Sequence, residues 1–286
     1  MDLQIHHDPR AFRVLADRVY GADTLRHTIA LTVMARFFGM AREDTPVMGS
    51  LHDNGELVGV AFRTPPWPVL VSGLPTDPGL VESFLTQWLA ADPGLPGVSG
   101  PVDNVNAVAA AWTRLTGGSA TVTLASRLFQ LGDLIPPAVP GRAREATEDD
   151  LELLVRWRTD FQVEALGFQG GRGDGEAEIR RRFEIGDSLL LWEDGGLPVS
   201  SANASAPVGG MSRVGPVYTP PEHREHGYGS AVTAAVSQRA RDAGADNVLL
   251  FADLTNPVSN SIYQKLGYRP VYDSSELEFT RLPSTT

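Results

Sequence analysis

A six-residue loop in the second half of the chain, Arg224-Glu225-His226-Gly227-Tyr228-Gly229, combines residue types that suit the binding of an anion. It follows an apolar segment, residues 214–218, and precedes a helix predicted to open at about Ser230. Two glycines reduce side-chain bulk and admit positive φ, so successive main-chain N–H groups can turn toward one centre. The helix N-terminus adds unpaired N–H groups, and Arg224 adds a planar cation. The loop therefore predicts an anion site, and pyrophosphate is a suitable guest.

Two familiar phosphate motifs do not describe this loop. It lacks the G-x-x-x-x-G-K-[ST] of nucleotide-hydrolysing loops, and its R-x-x-G-x-G differs from the G-x-G-x-x-G of dinucleotide folds. A glycine-rich turn before a helix is also common without any ligand. On the loop alone, a plain strand-to-helix turn stays open as the alternative.

A second segment, residues 253–268, predicts a helix that presents polar groups along one side. Asn256 is suited to cap this helix, and apolar residues recur on one of its faces. On the other side, Asn256, Asn260 and Tyr263 fall at i, i+4 and i+7 and form a polar stripe that can face a cofactor. The alternative is a structural helix with a tyrosine in the core.

The two segments together resemble the signature of the GNAT superfamily, the acyl-CoA-dependent N-acyltransferases. R-x-x-G-x-G at 224–229 is followed, after a helix and a strand, by N-x-x-[AS]-x-x-I-Y-x-K-L-G-[FY] at 256–268. In that superfamily the loop holds the coenzyme A pyrophosphate, and the strand before it parts from its parallel neighbour to expose main-chain groups. Gly215-Pro216 within this strand is typical of such a break. The resemblance implies the following cofactor-binding residues: Val217, Tyr218, Thr219, Arg224, Glu225, His226, Gly227, Tyr228, Gly229, Ser230, Asn256, Asn260 and Tyr263.

The resemblance also implies direct transfer of an acyl group to an amine. The chain has no cysteine, and no Ser-His-Asp set is spaced to form an acyl-enzyme, so the amine must attack the thioester itself. Tyr263 is expected to act as general acid toward the sulfur, and a main-chain N–H near Val217 to polarise the carbonyl. The sequence does not choose among four candidates for the general base, of which Glu222 is the working one: Glu164, Glu222, His223 and Asp253.

The expected function is therefore an acetyl-CoA-dependent N-acetyltransferase of the EC 2.3.1 class. Acetyl-CoA is the expected co-substrate, no metal is expected, and the acceptor is a primary amine of a small molecule or peptide. A protein that binds acyl-CoA as a sensor or scaffold without transfer is the alternative. The resemblance leaves open whether the protein is a monomer or a homodimer.

Composition places the chain among ordinary soluble proteins. It has 286 residues, of which 42% are hydrophobic and 21% charged, with a net charge of −11. The negative charge argues against non-specific nucleic-acid binding. No run of about 18 apolar residues and no signal-peptide pattern occurs, so neither a membrane span nor export is expected and the cytoplasm is the predicted location.

The order of predicted elements suggests a duplicated fold of the α/β class. A proline-rich linker at 136–141, P-P-A-V-P-G, separates residues 1–135 from residues 142–286. Each half is predicted to run helix, helix, hairpin and then further strands and helices, with Asn54-Gly55 and Asp194-Gly195-Gly196 as hairpin turns. The prediction is a tandem GNAT-like fold with two mixed sheets flanked by helices and a splayed parallel strand pair in the C-terminal half.

The two halves are predicted to differ in function. Where the first half would need an anion loop it has S-G-L-P-T-D-P-G-L, so it is predicted to be a degenerate GNAT-like domain without a cofactor loop. The second half is predicted to be the catalytic domain. Its glycine-rich segment 167–175, with Phe168, Gln169 and Arg172, lies where the superfamily shapes its acceptor pocket; a plain surface loop is the alternative.

Overall fold

The computed structural model describes residues 1–38, 45–166 and 175–281. The described chain divides into two compact units. The first unit comprises residues Met1–Arg127 and Tyr272–Thr286, and the second comprises Leu128–Val271. The division falls before the predicted linker and gives the end of the chain to the first unit.

The first unit begins with a strand and then repeats helices and strands. Its elements are β1 (Asp2–His6), α1 (Pro9–Tyr20), α2 (Thr28–Phe37), β2 (Val47–Asp53), β3 (Glu56–Arg63), β4 (Val69–Leu70), α3 (Pro78–Ala91), β5 (Gly97–Pro101), α4 (Val102–Thr116) and most of β6 (Ser119–Leu131). The hairpin turn between β2 and β3 has positive φ at both Asn54 and Gly55, as a type I′ turn requires.

A mixed sheet organises this unit. Its strand order is β1-β2-β3-β4-β5-β12, where β12 is the last strand of the chain, Tyr268–Thr280. Only β4 and β5 pair in parallel among these strands of the described chain. Apolar residues of α3 and α4 belong to one hydrophobic core cluster of this unit, and those of α1 and α2 belong to a second one.

The second unit holds both sequence motifs. Its elements are the end of β6, β7 (Arg142–Glu145), α5 (Leu151–Leu166), α6 (Gly175–Glu184), β8 (Ser188–Asp194), β9 (Leu197–Ala204), β10 (Met211–Tyr218), α7 (Tyr228–Asp242), β11 (Asn247–Asp253), α8 (Pro257–Lys265) and the start of β12. Its strand order is β6-β11-β10-β9-β8-β7. One core cluster includes residues of α7 and β11, and a second includes residues of α5, α6 and β8.

The parallel pair β10 and β11 separates partway along its length. The two strands pair from Met211 opposite Asn247 to Val214 opposite Leu250, and no further pairing follows although both strands continue. Beyond a register shift after Val214, β10 stays paired with β9 through Tyr218. The predicted splayed pair is therefore present, and the mixed α/β fold class is confirmed.

Some elements differ from the prediction. β1 was not predicted because five residues, D-L-Q-I-H, give too short an alternation to stand out. The sequence predicts a third strand over 67–72 after Pro65-Pro66, but β4 is only two residues long. It also predicts two strands, over 269–272 and 277–281, where the structure has one continuous strand, β12. Among the helices of the described ranges, none is long and apolar enough to span a membrane.

Candidate active site

The loop before α7 offers a set of main-chain N–H groups that the protein itself does not use. Gly227 caps the helix in the left-handed conformation, with φ of 82°, and no side chain caps the N-terminus. The first helical hydrogen bond runs from the Ala231 N–H to the Gly227 carbonyl, at 3.0 Å. Within the described ranges, the N–H groups of residues 225–230 meet no protein acceptor. Such a row of donors at a helix N-terminus is suited to a phosphate group.

Each of the two glycines in the loop is required for a different structural reason. Gly227 needs its positive φ, and a Cβ there would also lie 3.0 Å from Val139. At Gly229 a Cβ would lie 3.1 Å from the Thr219 hydroxyl. The loop also holds Glu225 at φ of 68°, in the region that favours glycine. The acidic residue therefore occupies a strained position beside the unpaired donors.

Arg224, the predicted phosphate ligand, is held by other protein groups. Its guanidinium forms an ion pair with Glu164 near the end of α5, and its Nε donates to the Thr219 carbonyl at 2.9 Å. The other oxygen of Glu164 accepts from the Tyr218 hydroxyl at 2.9 Å. The hydrogen bond from Arg224 lowers the pKa of Glu164, although partial burial opposes this, and the Tyr218 bond lowers it further. Glu164 thus joins α5 to both ends of the β10–loop segment.

The remaining predicted loop residues are also oriented by local contacts. The His226 ring stacks on Tyr228 with centroids 5.4 Å apart, and its Nδ1 donates to the Arg224 carbonyl at 2.6 Å. The Tyr228 hydroxyl donates to Asp194, and this bond raises the pKa of Tyr228. These contacts direct the side chains of His226 and Tyr228 to protein partners, so the main-chain N–H groups are the principal donors that the loop offers to a ligand.

Main-chain and hydroxyl groups surround the parted end of β10. The Ser200 hydroxyl donates to the Tyr218 carbonyl at 3.0 Å and lies 2.8 Å from the Thr219 hydroxyl. Val217 lies beyond the point where β10 leaves β11 and packs, half-buried, against the core that also contacts Tyr263. The structure therefore places Val217 and Tyr218 on the splayed half of the strand.

Tyr263 on α8 has a packed ring and an unpaired hydroxyl. Its ring lies 6.1 Å from Tyr268 in a T-shaped arrangement and 6.4 Å from Phe129. No hydrogen-bond partner for the Tyr263 hydroxyl is found in the part of the chain that the structure describes. Burial raises its pKa to about 12. The phenol is therefore protonated at neutral pH and has a proton free to donate.

The two asparagines of α8 are used in the helix itself. Asn256 caps it, since its side-chain oxygen accepts from the Ser259 N–H at 3.0 Å. The Asn260 amide donates to the main-chain oxygens of Asp253 and Asn256, each at 2.8 Å. The polar stripe is thus a capping network, and the Asn260 amide already donates to main-chain oxygens of the protein.

The four candidate bases occupy different surroundings. Glu222 and His223 form a short 3-10 turn ahead of the loop, and Glu222 is exposed. Asp253 accepts from the Thr255 N–H and hydroxyl, both at 2.7 Å. Glu164 is bound by Tyr218 and Arg224, as described above. Geometry favours none of them outright as the base.

A cavity that the sequence motifs did not indicate lies between α5, α6 and the strands β9 and β10. Its volume is about 180 Å³, and its walls include Pro216 and Tyr218 of the splayed strand. On β9 it is lined by Ser201 and Asn203, two polar residues that are buried with the rest of the strand from Val199 onward. That pattern was a usable signal in the sequence. The predicted acceptor residues Phe168, Gln169 and Arg172 lie outside the described residues.

The equivalent helix of the first unit has a blocked N-terminus. The Asp77 carboxylate accepts from the N–H groups of Gly79 and Leu80, both at 3.0 Å, at the start of α3. These donors are the ones that a phosphate would need. Helix α3 is therefore capped by its own side chain, whereas α7 is not.

Comparison with known proteins identifies the fold. Residues 205–276, which contain both motifs, match a family described as FR47-like protein. An acetyltransferase of the GNAT family from Colwellia psychrerythraea aligns over 98% of this chain and 100% of that chain, with a TM-score of 0.65 and 12% identity. A tandem GNAT protein from the clavulanic acid biosynthesis pathway aligns over 99% and 100%, with a TM-score of 0.62 and 14% identity.

A third solved structure is more similar in sequence. A GCN5-related N-acetyltransferase from Kribbella flavida shares 22% identity over 78% of this chain and 88% of that chain, with a TM-score of 0.55. No curated protein matches the chain significantly. The fold that the two motifs predict is confirmed, since the chain has the tandem GNAT fold of these solved structures.

Proposed function

We propose that the chain is an acetyl-CoA-dependent N-acetyltransferase, in which the second unit transfers an acetyl group directly to a primary amine of a small molecule or peptide. One observation carries the proposal. The unpaired N–H groups of residues 225–230 open α7 beside the parted strands β10 and β11. This arrangement offers donors for a diphosphate at the loop and free main-chain groups for an amide-bearing arm along β10. The acyltransferases with the same fold support it further.

Each group has a role in this mechanism. The N–H groups of the loop hold the diphosphate, and a main-chain N–H near Val217 polarises the thioester carbonyl as the neutral amine attacks. The amine nitrogen forms the new bond to the carbonyl carbon, the carbon–sulfur bond breaks, and the amine loses a proton to a base or through water. Glu222, which is exposed, is kept as the working base among the four candidates.

Tyr263 assists the leaving sulfur. With its pKa raised to about 12 by burial, the phenol is a weaker acid than an ordinary thiol, whose pKa is about 8.5. It therefore stabilises the departing thiolate chiefly by donating a hydrogen bond, and full proton transfer is not required. The free Tyr263 hydroxyl is consistent with this role.

The proposal is tested by release of free thiol from acetyl-CoA in the presence and absence of a panel of primary amines. Amine-dependent release supports transfer. Saturable binding of acetyl-CoA without release, under every amine, identifies instead the sensor or scaffold function. Absence of both contradicts an acyl-CoA site.

Two variants at opposite ends of α7 test whether the loop is the binding site. Gly227→Ala and Gly244→Ala both place a Cβ at positive φ, of 82° and 91°. Both should lose stability through the same backbone strain, and Gly227→Ala should lose somewhat more because its Cβ would also lie 3.0 Å from Val139. Only Gly227→Ala should weaken acetyl-CoA binding, measured by calorimetric titration. Equal affinities in the two variants would place the diphosphate elsewhere.

A further inference from the structure

The cavity behind β10 can be assigned a ligand chemistry from its own walls. Its walls include six aromatic or aliphatic residues, which are Leu154, Trp157, Phe161, Ile179, Pro216 and Tyr218. Its volume of about 180 Å³ corresponds to roughly six water molecules at about 30 Å³ each. A group of amino-acid size fits such a space, while a large ring system does not.

Two buried polar side chains of β9 face this cavity without partners. Ser201 is 8% exposed and Asn203 is 7% exposed, and both line the cavity. Neither side chain hydrogen-bonds to another group in the described ranges, although their neighbour Ser200 does. Both side chains border the open space of the cavity, where their polar atoms remain available for hydrogen bonds. A ligand in the cavity can therefore supply their partners.

The charged wall of the cavity is rich in donors. Glu178 accepts from both Arg158 and Arg182, and Arg182 also pairs with the buried Asp187 outside the cavity lining. Burial opposes the ionised form of Glu178, but the two guanidinium groups outweigh it and lower its pKa. The one acid of the lining is thus fully engaged, whereas each guanidinium has five N–H groups and retains some of them.

The cavity also adjoins the proposed reaction centre. Pro216 and Tyr218 line it from the half of β10 that has left β11, so a ligand in the cavity lies against the strand that would carry the thioester. An amine attached to that ligand can therefore reach the carbonyl from the α5–α6 face of the sheet.

We propose that this cavity binds the carboxylate end of the acceptor, so that the acceptor class is an amine that also carries a carboxylate, such as a free amino acid. This assignment rests on the proposed acetyltransferase function. The Asn203 amide and the remaining N–H groups of Arg158 and Arg182 bind the carboxylate oxygens, because amide and guanidinium donors match a carboxylate, and the two guanidinium charges would repel an ammonium group. The aromatic wall contacts the rest of the acceptor.

Matched amine pairs test the assignment. L-phenylalanine is compared with 2-phenylethylamine, and L-leucine with isoamylamine, since each pair differs only in the carboxylate. We expect kcat/KM for acetylation to be higher for the amino acid by about tenfold or more, as for a charged hydrogen bond. Equal or reversed preference in both pairs would overturn the assignment.

Asn203→Asp gives a sharper test, because it keeps the shape of the side chain and adds a negative charge inside the cavity. The preference for the amino acid over its decarboxylated partner should fall about tenfold or more. Asn106→Asp, the same change at an exposed position of α4, is the control and should leave the preference unchanged. Thermal unfolding of both variants shows that they are folded. An unchanged preference in folded Asn203→Asp contradicts the proposal.

Direct binding separates this proposal from the proposed function. L-phenylalanine and 2-phenylethylamine are titrated against the protein by calorimetry without acetyl-CoA. Binding of the amino acid alone, lost in Asn203→Asp, supports the carboxylate site even if no thiol is ever released. Binding of neither probe, in a protein that does acetylate amines, overturns the carboxylate site and leaves the transferase function standing.

Discussion

At the scale of single residues, the Tyr263 hydroxyl is the group most directly tied to the proposed chemistry. Tyr263→Phe should lower kcat by about a hundredfold, since loss of one hydrogen-bond donor to the charge that develops in the transition state costs about that much, and should leave acetyl-CoA binding intact. Steady-state kinetics with acetyl-CoA titration measures both. Tyr268→Phe is the matched control. Its hydroxyl is 2.6 Å from Ser237 in the core, so its loss should reduce stability by about 1 kcal/mol and not turnover.

Glu225 gives a second prediction at this scale, because its φ of 68° is strained for any residue except glycine. Glu225→Gly should raise the free energy of unfolding by about 1 kcal/mol. Removal of the negative charge should also tighten acetyl-CoA binding. Glu222→Gly, which removes the same charge three residues earlier at a position without positive φ, should not stabilise the protein. Denaturant unfolding of both variants measures these free energies. An increase in the free energy of unfolding of Glu222→Gly as large as that of Glu225→Gly would contradict the strain argument.

The sequence predicted these residues unequally. The glycines were predictable because the loop conformation demands them locally, and the structure has Gly227 at positive φ. The partners of Arg224 were not predictable, since Glu164 lies sixty positions earlier and only the packing of α5 brings it near. Likewise, spacing alone gave Asn256 and Asn260 a shared face but did not show that their polar groups bind the helix itself.

At the scale of elements, the N-termini of α3 and α8 are both capped by a side chain, but only α8 lies in the proposed site. Asp77→Ala and Asn256→Ala should each lower the free energy of unfolding by about 1 kcal/mol, because each removes a cap. Only Asn256→Ala should raise KM for acetyl-CoA. Kinetics and chemical unfolding on the same two preparations test this, and a raised KM in Asp77→Ala would give the first unit a part in cofactor binding.

The elements themselves were predictable where a local signal is strong. The two hairpins were predicted from their turn residues, and the helices from their apolar spacing and caps. β1 was not predicted and β4 was predicted too long, because a strand of two to five residues carries little pattern. Whether so short a strand forms depends on its pairing with other strands of the sheet.

At the scale of the whole chain, β12 explains why the unit boundary was not predictable. Residues of β12 from Tyr272 onward belong to the first unit, although nearly all other residues after 127 belong to the second. They pair with β5, and Phe279 stacks on Trp112 with ring centroids 4.3 Å apart. No local pattern in the sequence marks such a return of the chain, whereas the proline-rich linker at 136–141 is a strong local signal.

Phe279→Ala should therefore destabilise the first unit. The loss is about 3 kcal/mol, as for a buried aromatic ring, since Phe279 is only 9% exposed. Val271→Ala, in the same strand but 40% exposed, should cost much less. Amide hydrogen exchange reports on the two units separately. In Phe279→Ala, the protection of main-chain amides against exchange should fall within residues 1–127. Unchanged protection there would contradict the assignment of β12 to the first unit's core.

The stability of the first unit should also depend on pH through one buried histidine. His27 is 6% exposed, lies 3.0 Å from the Ser72 hydroxyl through Nδ1, and has a pKa that burial lowers from 6.5 to about 4. In the unfolded chain His27 therefore binds a proton near pH 6.5, whereas in the folded unit it binds one only near pH 4. Stability is present above this window and is lost as pH falls through it, by about 2 kcal/mol between pH 7 and pH 5.

The carboxylates with lowered pKa values, such as Asp150 and Glu178, lose their contribution only at lower pH, so they do not mimic this loss. His27→Gln keeps a hydrogen-bonding side chain without the titration, and its free energy of unfolding should change much less between pH 7 and pH 5. His7→Gln, at an exposed histidine, should retain the full pH dependence. If denaturant unfolding shows the same slope for His27→Gln and the unaltered protein, a different group controls the acid sensitivity of the first unit.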